Sequence, residues 1–103
     1  MKYQLVLQFR GDSLSDYDTI VALEDELITE LGDSTDVDGH DAGSGETNIF
    51  ILTDDPVATF RRSLPVLERT QALHNAKAAY RPVAGDEYTV VWPEGSTDRF
   101  KVA

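Results

Sequence analysis

Four consecutive apolar residues, Ile49-Phe50-Ile51-Leu52, lie between a glycine-rich segment and an Asp-Pro pair, and they constrain the fold more than any other stretch. Successive side chains of a strand point to opposite faces, so this run puts hydrocarbon on both faces and belongs at the centre of a sheet. A second central strand is predicted over residues 3–10. There Tyr3, Leu5, Leu7 and Phe9 alternate with Gln4, Val6, Gln8 and Arg10, the pattern of a half-buried strand.

Between these strands the apolar spacing changes. Ile20, Leu23, Leu27, Ile28 and Leu31 recur at helical intervals among Glu24, Asp25, Glu26 and Glu30, which predicts an amphipathic helix. Ser15 with Asp18 three positions later resembles a capping box, and Gly32 supplies the residue that stops the helix. After the apolar run, Asp55-Pro56 is a strong helix start, because the carboxylate caps and proline needs no donor at the first helical position. Val57, Phe60, Leu64 and Leu67 form the expected stripe of this second helix, with Pro65 predicted to kink or break it. Residues 78–83 and 88–92 are strand candidates around a turn at Ala84-Gly85-Asp86, and residues 99–102 form a short last strand or a tail.

Strand, helix, strand, strand, helix, strand is the order of the split βαβ arrangement. The expectation is therefore one α+β domain spanning residues 1–103. It takes the form of a ferredoxin-like βαββαβ two-layer sandwich with an additional C-terminal hairpin strand. That superfold hosts many unrelated activities, so function must be sought in particular residues.

Composition removes several classes. The chain has no cysteine, which excludes disulfides, a thiolate nucleophile and sulfur-ligated metal. Its start, MKYQLVLQFRGD, reads as strand and not as an export signal, and no apolar stretch nears the roughly 18 residues of a membrane span. A cytoplasmic protein is expected. Nineteen acids against nine bases give −10, which repels nucleic-acid phosphates and anionic lipid surfaces. Residues 1–55 hold fourteen acids and two bases (−12), and residues 56–103 hold five acids and seven bases (+2). The acidic half either solvates the protein and pairs with the second half, or meets a basic partner. Three lysines against twelve aspartates also suit a salt-adapted host.

The most distinctive segment is Asp36-Val37-Asp38-Gly39-His40-Asp41-Ala42-Gly43-Ser44-Gly45-Glu46-Thr47-Asn48, read as a hairpin. A three-residue loop at Gly43-Ser44-Gly45 sets Ala42 opposite Glu46, His40 opposite Asn48 and Asp38 opposite Phe50. Asp38, His40, Glu46 and Asn48 then share the open face of the sheet with Gln4, Val6 and Gln8, and form the candidate ligand site. A two-residue loop shifts the register and turns His40 towards the helices.

His40 beside Asp38 or Asp41 has the make-up of a carboxylate-oriented general base, though only Ser44 and Thr47 offer hydroxyls nearby. One histidine and two carboxylates make a poor metal set, so no metal is assigned, and nothing in the pattern implies a cofactor. The glycines match a phosphate cradle only superficially, since the lysine is absent and the loop joins two strands. Local turn and bulge geometry accounts equally well for the glycines, with His and acids meeting neighbours or solvent. Arg61 and Arg62 near the second helix start either bind an anion or are neutralised by Asp54, Asp55 or the acidic helix. Trp92 and Tyr88 are expected on one strand face as aromatic core or dimer contact.

The segment VDGHDAGSGETNIFILTDDP, within residues 36–56, resembles the signature of a group of small uncharacterised bacterial proteins. The resemblance implies a bacterial origin and a specified hairpin, with no activity attached. In size and charge alone the chain is also similar to toxin-neutralising immunity proteins.

Two functions follow. In the first the domain is a non-enzymatic module that binds another protein or itself, as in a homodimer. It does so through an edge strand or an open sheet face whose candidate interface is Val6, Phe50 and Leu52. In the second it binds or turns over a small molecule at Asp38, His40, Glu46 and Asn48.

Overall fold

A computed structural model of the chain describes residues 1–10, 17–43, 45–95 and 100–102. Its elements run β1 (Tyr3–Arg10), α1 (Tyr17–Leu31), β2 (Thr35–Gly43), β3 (Glu46–Thr53), α2 (Pro56–Arg69), β4 (Ala76–Pro82) and β5 (Thr89–Trp92). Short 3-10 turns, Gly32–Ser34 and Leu73–Asn75, lead into β2 and β4. The five strands form one sheet in the order β2-β3-β1-β4-β5, with every neighbouring pair antiparallel. Both helices pack on one face, giving a two-layer α+β architecture. Among the described residues no helix is long and apolar enough to cross a membrane.

The alternation read in residues 3–10 decides which face is which. Leu5, Leu7 and Phe9 of β1 meet Ile49 and Ile51 of β3 under the helices, and all five are almost wholly buried. From α1 come Ile20, Leu23, Leu27 and Leu31. Ile28, expected in that stripe, is 52% exposed. One residue after the buried Leu27, it lies about 100° further round the helix and so falls outside the arc that faces the sheet. Gly32 ends α1 at φ +69°, the left-handed conformation that glycine adopts without cost. The cap expected at Ser15 lies outside the described residues.

At the start of α2 the Asp55 carboxylate accepts from the Ala58 N–H at 3.1 Å, with Pro56 in the first turn, as the sequence predicts. The buried stripe of α2 differs from the expected one. Val57 is exposed and Leu64 half-buried, while Thr59, Ser63 and Val66 lie inside with Phe60 and Leu67. Two small hydroxyl residues fit there because each has a bond. Thr59 and Thr53 share a hydroxyl contact of 2.7 Å, and Ser63 donates to the Phe60 carbonyl at 2.6 Å. The helix also runs unbroken through Pro65. Pro65 is exposed, and the carbonyl four residues earlier belongs to the exposed Arg61, where solvent replaces the missing donor.

Arg62 has a structural task. Its guanidinium donates to the Glu30 carbonyl at 2.8 Å and reaches Ser34 Oγ at 3.4 Å. The last turn of α1 has no basic residue of its own, so α2 supplies the cation that the helix end favours. Arg69 and Glu26 form a second, exposed link between the helices at 3.1 Å.

Candidate functional site

The hairpin takes the shorter turn. Gly43 pairs with Glu46, Asp41 with Asn48, His40 with Ile49 and Gly39 with Phe50. This is a correction to the three-residue loop, and a one-residue change of register moves each side chain to the other face. His40 therefore sits on the helix side, where Ile49 is core. Its Nδ1 lies 2.8 Å from Glu24 Oε1 on α1, with side-chain exposures of 22% and 15%. Val37 faces the same side, opposite Ile51, although Val37 and His40 are three residues apart. A bulge at Asp38 absorbs the odd residue, and Gly39 beside it takes φ +138°, which side-chain-bearing residues rarely adopt.

The four candidate ligand residues are thus distributed. Asp38 is an exposed bulge residue, and His40 meets α1. Glu46 opens β3 opposite Gly43 and Arg10, while Asn48 is buried against Gln8. Among the described residues, no three His, Asp or Glu side chains come together as a metal-ligating group.

The second face of the sheet is more built than the sequence suggests. Val6 and Ala79, paired across β1 and β4, are fully buried, yet they are not part of the helix-side core. Beside them Gln8 and Asn48 are 6% and 2% exposed. The Gln8 carboxamide donates to Asn48 Oδ1 at 3.0 Å and to the Lys101 carbonyl at 2.8 Å. Residues 100–102 therefore cross this face as a tail and not as a strand, anchored also by Phe100 against Tyr88 at 4.9 Å between ring centres. The candidate interface residue Val6 is consequently not exposed. Phe50 and Leu52 are partly exposed, and they continue the apolar strip towards β2.

The aromatic pair expected on β5 is divided between the faces. A register shift between Ala78 and Ala79 leaves Trp92 opposite Ala78 and packed on Phe60, 5.9 Å between ring centres, while Tyr88 lies with Phe100.

Both sheet edges are blunted. β2 carries its bulge and the exposed Asp36, Asp38 and Asp41, and β5 has four residues followed by Pro93. Added-strand pairing is disfavoured at both. Sequence reasoning placed Gln8 on this face and allowed a tail at residues 99–102, but missed the bond that joins them across 93 positions. The available signal was Gln8 beside Val6 on a central strand, a position where a carboxamide needs a partner. Comparison of the chain with protein-family models, curated proteins and solved structures finds no match in any of the three.

Proposed function

We propose that this domain is a non-enzymatic interaction module of the bacterial cytoplasm, built on a ferredoxin-like frame with β5 added at one edge. The strand order supports the frame. β3 lies between β1 and β2, and β1 lies between β3 and β4, as in two interleaved split βαβ units. The module meets a second copy of itself or another protein through the second face of its sheet.

The observation that carries this reading is the Gln8–Lys101 bond. Here the face holds a passing peptide main chain with one buried carboxamide, next to buried Val6 and partly exposed Phe50 and Leu52. A side-chain amide that reads a carbonyl, flanked by apolar surface, is the chemistry of a peptide-contacting surface. Phe50 lies opposite Gly39, which has no side chain to cover the ring.

The test is sedimentation of the full chain from micromolar to millimolar concentration, alongside Phe50→Glu. Association of the wild type that Phe50→Glu removes, with an unchanged urea midpoint, is the expected result. A wild type that stays monomeric overturns the self-association form of the proposal. For a different partner the same two proteins serve as bait, and a protein captured equally by both removes this face from consideration.

A further inference from the structure

The C-terminal end of α2, the turn Leu73–Asn75 and the end of β5 border an open cleft of about 590 Å3, apart from the second face. Leu73, Trp92 and Pro93 give it apolar walls, and Glu68, Gln71 and His74 supply its polar groups. Both the volume and this mixture are those of small-molecule sites.

The cleft has a structural origin in the way α2 ends. Gln71 takes φ +60°, its N–H donates to the Glu68 carbonyl at 3.1 Å, and the Ala72 N–H donates to the Leu67 carbonyl at 2.9 Å. This pair of bonds closes a helix around a left-handed residue, a place usually held by glycine. Glutamine there puts a carboxamide on the cleft wall, at a conformational cost that glycine would not carry.

Three features favour a positive charge in the cleft. The first is the Glu68 carboxylate, exposed to solvent on the last turn of α2. The second is that helix end itself, the negative pole of its dipole. The third is the indole of Trp92, whose π face attracts cations. Among the described residues no Lys or Arg lines the cleft, and neighbouring Arg69 is engaged with Glu26. A net charge of −10 adds a background that repels anions.

We propose that this cleft binds a small organic cation of the arylalkylammonium class, its charged end held by Glu68 and Trp92 and its hydrocarbon against Leu73 and Pro93. A neutral ligand of the same shape gains the apolar contacts but gives Glu68 no counter-charge as it loses water. An anion meets repulsion throughout.

Trp92 is the only tryptophan of the chain, so its fluorescence reports this cleft. The probes are 2-phenylethylammonium, 2-phenylethanol and phenylacetate, which share a ring and differ in charge. The full-length protein should give a saturating change with the ammonium compound, binding about tenfold more weakly to the alcohol and not measurably to phenylacetate. Glu68→Gln should bring the ammonium compound down to the level of the alcohol. Asp33→Asn makes the same charge change in the turn leading to β2, at the opposite edge of the sheet, and should leave the preference intact. The proposal is overturned by the absence of a saturable response to the ammonium compound. It is equally overturned by equal binding of the alcohol in the wild type, or by a loss of preference in Asp33→Asn matching that in Glu68→Gln.

Discussion

The two faces of the central strands are built from alternate residues of the same few positions, yet they close by different physics. Under the helices, Leu5, Leu7, Phe9, Ile49 and Ile51 are buried by hydrocarbon from α1 and α2, an attraction without directional requirement. On the other face, Val6 and Ala79 are just as buried, but their neighbours Gln8 and Asn48 form a carboxamide pair that must aim at each other and at one main-chain carbonyl. Burial alone therefore does not distinguish the two faces here. The helix face is specified by volume, and the second face by geometry that any chain offering a carbonyl at the same point could satisfy.

The sharpest way to break this comparison is to truncate adjacent residues of β3. Ile51→Ala opens a cavity on the helix face and should cost about 2–5 kcal/mol of unfolding free energy. Phe50→Ala, from a partly exposed ring on the second face, should cost clearly less, although more side chain is removed. Urea unfolding of the two variants decides it. Equal losses would mean that the second face is ordinary core.

A smaller effect is expected from the carboxamide pair. Gln8→Ala leaves the Asn48 side-chain oxygen, and the Lys101 carbonyl over it, without their donor, at a cost of about 1–3 kcal/mol. Replacing both carboxamides by leucine removes the buried Asn48 acceptor together with its donor and should recover most of that loss. Amide exchange at residues 100–102 should quicken in both variants, because the tail loses its anchor in each. Protection retained there would show that the tail is held by something other than Gln8.

How much of this was legible in the sequence follows the same division. The alternation of residues 3–10, the cap at Asp55-Pro56 and the stop at Gly32 are local, and each sits where its residues say. The register of the hairpin is not local. Gly43-Ser44-Gly45 accommodates either turn length, and the choice is linked to contacts outside the hairpin, Val37 against the core and His40 against Glu24 sixteen positions away. The Asp38 bulge lets both face the helices, a compromise that no pattern of alternation encodes. Thr59 and Ser63 were missed because a stripe drawn from apolar residues omits hydroxyls that find bonds inside. The docking of the tail was missed because Phe100-Lys101-Val102 has no periodicity, and its partner lies at the other end of the chain.

His40 gives the finest test, since it is the polar exception on the helix face. Its contact with Glu24 joins β2 to α1 at the sheet edge, where the hydrocarbon core thins out and both side chains keep some solvent. Partial exposure limits what the pair contributes, because water and salt screen it, so His40→Ala should lower stability by about 1 kcal/mol or less. Glu24→Gln keeps an acceptor for the ring while removing the charge, and should cost less still. The difference between wild type and His40→Ala should narrow in concentrated salt without vanishing, as expected for a pair only partly screened. Urea midpoints at low and high salt measure this directly. A loss as large as that of Ile51→Ala would show that the β2 edge of the helix face is held by a directional contact after all, and the two faces would then differ in degree and not in kind.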